Sequence, residues 1–480
     1  MRLDELFKNA PAIEIDQLSD DSRMPMSNAI FFCIKGIKDD GHDFVAEAIE
    51  NGAKVIVYSD EINRNGKAIY IKVNNVFETL KAIADRFYDY PNNDIDEYVV
   101  SGCYGKCSVS SFINHYLNID HTCAYIGALG IKYSHFELQT SFATLTSLEN
   151  LKTLVKIKKE GCHSATFEAS ASSLAYKKLD PLDPDIFIYT NTYQLSPDYR
   201  ASQNDYYDYI RRYLYHLEAK TKVIFNKDDM AYENLKDALD GCITYGTSPD
   251  SDYMISDIGM SKEGSVFTIS HDENQYRVQT NLLSLSNVYN LTAAIAALHQ
   301  QGYDMENIIG SFRNVNYIDG ILEKIDEDYN IIIDSAFSLD AMEEIMSYGR
   351  FISKNNKLIG VVPICYSDNN RRIEKLISLC EKYLDIVILT EDESYDGDVL
   401  SILNRARSYF VKNNEVLIEV RSLAIKYAID LMNSDDTLLI LGKGNEKFLE
   451  MGLGKEFYLG DKHYALKYIR KRKEEENETV

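Results

Sequence analysis

Short apolar runs alternate with amphipathic stretches of helical length along almost the whole chain. This alternation is typical of α/β proteins, in which crossover helices join the parallel strands of a sheet. The chain has 480 residues, about three times the ~150 residues of a typical domain, so we expect more than one domain. The predicted strands are Lys54–Tyr58, Tyr98–Ser101, Ile186–Thr190, Val223–Phe225, Ile331–Asp334, Lys357–Val362, Ile386–Thr390 and Thr437–Leu441.

Two features of the sequence predict domain boundaries. Tyr90–Asp94 is a dense turn cluster just before a predicted strand, which favours a first boundary at this point. The helical pattern of Asn287–Gln301, followed by Gly302 and a short polar stretch, indicates that a second boundary lies near residue 315. The sequence therefore predicts three domains, over residues 1–92, 93–315 and 316–480.

The charge of the chain excludes some classes of partner. Its 75 acidic and 51 basic side chains give a formal charge of -24, which opposes binding to nucleic acid and to anionic membranes. The basic run Lys467–Lys473 is followed at once by glutamates, and we interpret it as a solvated helix end. No stretch approaches the ~18 consecutive apolar residues that span a bilayer, and the N-terminus lacks a signal-peptide pattern. We expect a cytoplasmic protein without a membrane span.

The segment after the predicted strand Tyr98–Ser101 carries the clearest chemical signal. Gly102-Cys103-Tyr104-Gly105-Lys106 joins this strand to an amphipathic helix. Backbone amides of such a turn and the helix dipole bind phosphate, and the lysine adds a positive charge. Cys107 stands where Ser or Thr would place a hydroxyl on magnesium, and Ser108 can substitute for it only if the helix start is shifted by one residue. The alternative is a glycine turn that only packs a helix on a sheet.

Four segments near the N-terminus carry a family resemblance. They are Asp21–Arg23, Ala29–Gly36, Asp40–Phe44 and Asn51–Ala53. With the segments below, they resemble the Mur ligases, most closely the UDP-N-acetylmuramoyl-tripeptide synthetase (MurE) branch, over nearly the whole chain. These enzymes use ATP to join an amino acid to a UDP-muramoyl-peptide through an acyl phosphate. The resemblance implies a three-domain α/β architecture, with a central phosphate-loop-type domain of parallel or mixed sheet and a C-terminal Rossmann-like domain.

The first domain of Mur ligases holds the UDP of the substrate. The resemblance therefore implies that four polar or basic residues bind the uridine and its phosphates, namely Ser22, Arg23, Lys35 and His42. The alternative is that Ser22 caps a turn and His42 packs within the domain.

The middle domain keeps the order of the family's motifs but differs at several reactive positions. Glu168 matches a glutamate that helps to hold magnesium in the family. Leu195 and Ser196 replace an Asp-His pair of the metal site, and Ile210 stands where the family has a carbamylated lysine. Asn290 matches an asparagine beside the adenine, although the small residues of its helix would also suit close packing alone. The implied nucleotide-binding residues are Gly102, Gly105, Lys106, Ser108 and Asn290.

The third domain shows the same mixture of matches and changes. Ile321 and Phe337 replace an arginine and a histidine that act near the nucleotide in the family. Asp392 alone matches the Asp-Asn-Pro motif that reads the acceptor amino acid, whereas Gly442 and Glu446 match a Gly-Lys-Gly-His-Glu motif. The resemblance thus implies an acceptor pocket for a small zwitterion.

The resemblance leaves three functions open. The first is a MurE-like pseudoenzyme of peptidoglycan precursor metabolism, which binds a UDP-N-acetylmuramoyl-peptide, has little or no ligase activity and works beside an active Mur ligase or another cell-wall enzyme. The second is an active ligase that uses ATP and Mg²⁺ to add an amino acid to this substrate. The third is a relocated active site with a different substrate.

Overall fold

The computed structural model of the chain describes residues 1–36, 40–64, 66–138, 145–192, 203–365, 368–392, 398–451 and 454–478. These residues form two compact α/β units. The first unit comprises the described residues of Met1–Ser101, Leu117–Phe187 and Asp208–Lys222, and the second those of Gly102–Tyr116, Ile188–Tyr207 and Val223–Val480. Each strand predicted from the sequence is present, whereas the boundaries at residues 92 and 315 stay a prediction.

A small parallel sheet begins the first unit. Its elements are α1 (Leu3–Leu6), β1 (Gln17–Ser19), β2 (Ala29–Phe32), α2 (Val45–Glu50), β3 (Ala53–Tyr58), β4 (Ile69–Lys72) and α3 (Val76–Phe87). The strands lie in the order β1-β2-β3-β4, and all neighbours are parallel. β2 is buried at every position because it is a central, wholly apolar strand. α3 begins where it does because the Asn75 side chain accepts hydrogen bonds from the amides of Phe77 and Glu78.

The strand that leads into the predicted phosphate loop belongs to a second set of elements. These are β5 (Asp96–Ser101), α4 (Lys106–Asp120), β6 (Cys123–Gly127), β7 (Gly130–Tyr133), β8 (Phe136–Leu138), α5 (Ser147–Lys159), β9 (Ser164–Ala169), α6 (Ala171–Ala175), β10 (Ile186–Tyr189) and α7 (Gln203–His216). β9 pairs in parallel with β5 on one side and β6 on the other. β6, β7 and β8 continue this part of the sheet as antiparallel neighbours.

The second unit contains a mixed sheet and an almost fully buried helix. The elements are β11 (Lys222–Asn226), α8 (Met230–Asn234), β12 (Ile243–Gly246), β13 (Tyr253–Ser261), β14 (Gly264–His271), β15 (Asn274–Thr280), α9 (Ser284–Gln300) and α10 (Met305–Ser311). β11, β12 and β13 are parallel, and β13, β14 and β15 are antiparallel. α9 is buried on nearly all sides, which is why its sequence is apolar without a clear polar stripe.

The rest of the second unit is a parallel sheet with helices on both faces. Its elements are β16 (Glu323–Lys324), β17 (Asn330–Asp334), α11 (Leu339–Ser353), β18 (Leu358–Ile364), α12 (Asn370–Tyr383), β19 (Ile386–Glu391), α13 (Val399–Arg407), β20 (Glu415–Leu417), α14 (Arg421–Leu431), β21 (Thr437–Leu441), β22 (Phe448–Met451), β23 (Gly454–Phe457) and α15 (Asp461–Glu478). The six-stranded sheet has the order β16-β17-β21-β18-β19-β20, with only β16 antiparallel, and β22 and β23 form a separate antiparallel pair. Residues of α11, α12 and α13 pack on one face, and residues of α14 and α15 on the other.

A buried ion pair joins the last two helices of this sheet. The Arg421 guanidinium donates to both carboxylate oxygens of Asp461, at 2.8 and 2.7 Å, and to the Leu441 carbonyl at 2.7 Å. Tyr458 donates its hydroxyl to the same carboxylate at 2.7 Å. Neither charged side chain is exposed, so each depends on the other for its solvation. No helix in the described part of the chain is long and apolar enough to cross a membrane.

Replacing Asp461 by alanine is expected to lower the free energy of unfolding by about 3–5 kcal/mol, because it leaves the Arg421 guanidinium buried without its counter-ion. Chemical denaturation followed by circular dichroism measures this change. The matched control is Lys426→Ala, which breaks an exposed pair with Asp430 on the same helix α14 and should cost less than about 1 kcal/mol. Equal losses for the two variants would contradict the importance of the buried pair.

Candidate functional site

The predicted phosphate loop is a tight turn between β5 and α4. Gly102 and Gly105 have φ angles of +132° and +87°, a backbone region that favours glycine. A Cβ at Gly102 would lie 2.1 Å from the Thr190 hydroxyl oxygen, and a Cβ at Gly105 would lie 2.2 Å from the Asn290 side-chain oxygen. Both glycines are therefore required by backbone conformation and by close neighbours. The structure brings Asn290 to the loop, as a nucleotide-binding role requires.

Residues just after β10 hold the loop in place. The Tyr104 amide donates to the Asn191 side-chain oxygen at 3.0 Å, and the Tyr104 carbonyl accepts from the Thr190 hydroxyl at 2.7 Å and the Asn191 side-chain amide at 2.9 Å. The Cys103 amide donates to the Asn191 carbonyl at 2.9 Å. The sequence pattern did not indicate this role of Thr190 and Asn191.

Lys106 begins α4 and points back into the loop. Its ammonium donates to the carbonyls of Gly102 and Cys103 at 2.9 and 3.2 Å. Ser108 is buried, and its hydroxyl has no hydrogen-bond partner among the described residues. Burial raises the pKa of the Cys103 thiol to about 11, so this thiol stays protonated and poorly reactive at neutral pH.

Tyr104 connects the loop to the end of β17 within the second unit. Its ring packs against the hydrophobic cluster of α11, α12 and α13, and its hydroxyl donates to Asp334 at 3.3 Å. The same carboxylate accepts from the amides of Leu322 and Ala336 at 2.8 and 2.6 Å. Complete burial nevertheless raises the pKa of Asp334 to about 7.

Glu168 lies near the C-terminal end of β9, where the sequence predicted a ligand. Its side chain is 1% exposed, and its Oε1 accepts hydrogen bonds from the Tyr125 hydroxyl and, at 3.2 Å, from the Ala128 amide. The space it occupies exists because residue 127 is glycine, since a Cβ there would lie 2.3 Å from Glu168 Oε1. Nothing in the sequence pattern marked Tyr125 as a partner of this glutamate.

Ser22 and Arg23, two of the four predicted UDP-sugar ligands, each contact an acidic side chain of the first unit. The Ser22 hydroxyl donates to Glu47 at 2.5 Å and is buried. Arg23 pairs with Asp21 at 2.8 Å, while its side chain is 79% exposed. The Ser22 hydroxyl is therefore hydrogen-bonded inside the protein, whereas the charge of Arg23 lies at the surface.

Lys35 and His42 lie together beside Asp40 and Asp60. Lys35 pairs with Asp60 at 3.0 Å, and His42 Nδ1 bonds to Asp40 at 2.5 Å. His42 Nε2 accepts from the amides of Ser59 and Asp60 at 3.0 and 3.2 Å, so Nδ1 carries the proton. The ligand atoms of Asp40, His42 and Asp60 lie within 4.8 Å of one another. However, the lone pair of Nε2 already accepts two amides, which leaves this histidine unsuited to hold a metal ion.

The predicted acceptor residues meet around a buried lysine. Lys443 Nζ lies 2.8 Å from Asp392 and 3.0 Å from Glu446. Burial lowers the pKa of Lys443, but the attraction of the Asp392 and Glu446 carboxylates is larger. The pKa of Lys443 is therefore raised above its usual value. Gly442 has a φ of +109°, and a Cβ there would lie 2.5 Å from the Pro363 ring. The family motif predicted roles for Gly442 and Glu446 in acceptor binding, but it did not predict a role for Lys443 between them.

Several positions that the resemblance singled out as changed are apolar or aromatic. Ile210 is fully buried on α7, and Ile321 is 7% exposed. The ring of Phe337 lies 4.8 Å below the Arg372 guanidinium, which also donates to the Phe337 carbonyl at 2.5 Å. Leu195 and Ser196, which replace the Asp-His pair of the family, lie outside the described residues.

Comparison with known proteins assigns the family. Residues 14–88 match the Mur ligase family catalytic domain, and residues 100–298 match the Mur ligase middle domain. A UDP-N-acetylmuramyl-tripeptide synthetase 2 of Oceanobacillus iheyensis is 30% identical over 446 residues, which cover 90% of each chain. The chain belongs to the Mur ligase family. The resemblance to this family, and to its MurE branch, is thereby confirmed.

Further relatives and solved structures agree with this assignment. A UDP-N-acetylmuramoyl-L-alanyl-D-glutamate--2,6-diaminopimelate ligase of Clostridioides difficile is 28% identical over 470 residues, or 94% of each chain. A solved structure of a ligase of that name superposes with a TM-score of 0.69 at 21% identity, covering 98% of this chain and 99% of the other. MurF of Thermotoga maritima in complex with ADP gives 0.64 at 14% identity, with coverages of 96% and 98%. The three-domain Mur ligase fold predicted from the sequence is confirmed.

Gly105→Ala is expected to lower the free energy of unfolding by about 1–3 kcal/mol more than Gly161→Ala. Both substitutions place a side chain at a positive φ, of +87° and +82° respectively, but only Gly105 has a neighbour within 4 Å. Chemical denaturation of both variants separates the steric contact from the backbone strain. Adding Asn290→Ala to Gly105→Ala should recover stability, and no recovery would contradict the contact with Asn290.

Because of Asp334, the free energy of unfolding is expected to fall as pH rises. Its folded pKa, about 7, exceeds the ordinary value of 3.8, so the folded chain holds a proton that the unfolded chain releases. The contribution of Asp334 to the free energy of unfolding is therefore fully present below about pH 4 and is lost as pH rises through about 7. This contribution is on the order of 4 kcal/mol.

Thermal melts between about pH 5 and pH 8 test this expectation, because Asp334→Asn removes the titrating group. The slope of melting temperature against pH should flatten in this variant, whatever its absolute stability. The control is Asp240→Asn at an exposed position, which should keep the wild-type slope. An unchanged slope in Asp334→Asn would contradict the raised pKa.

Proposed function

We propose that this chain is a peptidoglycan-precursor protein that binds a UDP-N-acetylmuramoyl-peptide and a nucleotide but catalyses ligation slowly or not at all. In this proposal, residues 1–92 hold the UDP-sugar, residues 93–315 the nucleotide and residues 316–480 an acceptor amino acid. The protein acts beside an active Mur ligase or another cell-wall enzyme. Its membership of the family supports this assignment.

The loop between β5 and α4 fits a nucleotide polyphosphate. Its two left-handed glycines open the backbone amides toward a ligand, and Lys106 supplies a positive charge within the turn. Asn290 lies against Gly105, and its side-chain nitrogen is buried without a partner among the described residues. Two relatives of the same fold, Thermotoga maritima MurF and Mycobacterium tuberculosis folylpolyglutamate synthase, were solved with ADP.

The observation that carries the proposal is the chemistry at the family's magnesium positions. Magnesium prefers hard oxygen ligands, whereas Cys107 offers a soft thiol and Ile210 a buried hydrocarbon. Glu168 already accepts hydrogen bonds from Tyr125 and Ala128. The thiol of Cys107 and the hydrocarbon side chain of Ile210 do not fit magnesium. Phosphoryl transfer depends on metal ions that neutralise charge, so we expect little turnover.

The second candidate is an active ATP-dependent amide ligase. It is favoured by the glycine and lysine geometry of the phosphate loop and by the names of the relatives, which are synthetases and ligases. The pairing of the buried Lys443 with Asp392 and Glu446 also brings opposite charges together where the resemblance implies an acceptor site. This candidate requires other groups to replace the missing metal ligands.

Calorimetry separates the two candidates. The purified protein is titrated with UDP-N-acetylmuramoyl-dipeptide and, separately, with ATP and Mg²⁺, and phosphate release is followed in a mixture of amino acids. We expect the sugar nucleotide to bind and phosphate release to stay at background. Acceptor-dependent phosphate release would favour the active ligase, and absent sugar-nucleotide binding would reject both candidates.

Restoring the family's residues tests the placement of the metal site. The variant Cys107→Thr, Leu195→Asp, Ser196→His and Ile210→Lys should bind ATP with Mg²⁺ about tenfold more tightly than the wild type, a change of ~1.4 kcal/mol. Its matched control is Cys242→Thr, a half-buried cysteine elsewhere, which should leave the affinity unchanged. Thermal melts confirm that each variant is folded. An unchanged affinity in the folded restored variant would contradict the assignment of these positions.

A further inference from the structure

We propose that the Tyr125 hydroxyl takes the place of a metal ion on Glu168, so that the carboxylate is satisfied within the protein and excludes divalent cations. This inference deepens the proposed function and rests on it, because it assigns a cause to the weak metal site. Tyr125 is a positioning residue in this account, since it acts only through Glu168.

The sheet places the two side chains side by side. Glu168 belongs to β9, and Tyr125 belongs to the parallel neighbour β6, where it lies opposite Thr166 in the register. Tyr125 is 2% exposed and Glu168 1%. Because both groups are buried, their hydrogen bond does not compete with bulk water. A buried carboxylate otherwise needs a cation or several donors to offset its desolvation.

The backbone around Tyr125 sets the direction of this hydrogen bond. The Leu129 amide donates to the Tyr125 hydroxyl oxygen at 3.3 Å. With this lone pair engaged, the single hydroxyl proton is directed at Glu168 Oε1. The Ala128 amide donates to the same oxygen at 3.2 Å. Two donors thus converge on Oε1 of the carboxylate.

Gly127 completes the arrangement by leaving room for the carboxylate. A Cβ at this position would lie 2.3 Å from Oε1 and 2.5 Å from the carboxyl carbon of Glu168. The glycine therefore lets Glu168 lie close to the end of β6, within reach of Tyr125 and Ala128. The strand end thus supplies two donors to Oε1, one from a side chain and one from the backbone.

The energetic consequence concerns cation binding. A hydrogen bond from a neutral donor to a carboxylate is stronger than one between neutral groups. A divalent cation that approached Oε1 would have to break this bond and leave a tyrosine hydroxyl buried without its acceptor, which is costly. Removing the hydroxyl alone should therefore make the carboxylate available to a cation.

Manganese binding tests the inference, with Mn²⁺ alone as the probe and its free signal followed by electron paramagnetic resonance. Tyr125→Phe keeps the ring and removes the hydroxyl, and it should bind Mn²⁺ at least about tenfold more tightly than the wild type. The matched control is Tyr133→Phe, a buried tyrosine on the adjacent strand β7, which should leave Mn²⁺ affinity unchanged. Adding Glu168→Gln to Tyr125→Phe should abolish the gain.

Three outcomes would overturn the inference. The first is a folded Tyr125→Phe variant with wild-type affinity, and the second is a gain that survives Glu168→Gln. The third is tighter Mn²⁺ binding by the wild type than by Glu168→Gln. This comparison needs no tyrosine variant, so it remains decisive if Tyr125→Phe fails to fold. Wild type and Glu168→Gln should bind Mn²⁺ equally weakly, and tighter binding by the wild type would show that Glu168 accepts the ion. Because no nucleotide or sugar substrate is present, these outcomes are independent of the calorimetric test of the proposed function.

Discussion

The hydrogen bonds between Tyr104 and the residues that follow β10 fix the loop that we propose for nucleotide binding. A loop with two glycines has wide backbone freedom, and ordering it on ligand binding costs conformational entropy. Thr190 and Asn191 remove this freedom in advance, because their side chains hold both the amide and the carbonyl of one loop residue. The position of Lys106 at the start of α4 then follows from the geometry of the loop. Preorganisation of this kind improves ligand binding without adding any contact to the ligand.

Much of the fold could be predicted because its signals are local. Buried parallel strands are short continuous apolar runs, and β18 and β21 appear as such in the sequence. The glycines and lysine of the phosphate loop follow β5 directly, so they form one continuous motif in the sequence. Glu168 was placed at a strand end for the same reason. Each of these predictions depends on neighbours within a few positions.

The pairings that give the site its character could not be predicted in this way. Tyr125 and Glu168 are 43 positions apart, and Tyr104 and Asp334 are 230 positions apart. Only the strand register and the packing of separate sheets bring such residues together. Residue type alone also does not reveal which lone pairs are already engaged. The resemblance implied His42 as a UDP-sugar ligand, which stays a prediction, but it did not reveal that the ring nitrogens bond to Asp40 and to two backbone amides.

The position of Lys106 affects how its loop meets an anion. Its ammonium lies on the carbonyls of Gly102 and Cys103, which act as a first solvation shell supplied by the protein. An incoming phosphate therefore does not meet a bare charge. It must exchange places with these carbonyls, much as an ion exchanges water molecules, so only the difference between the two sets of contacts contributes to affinity.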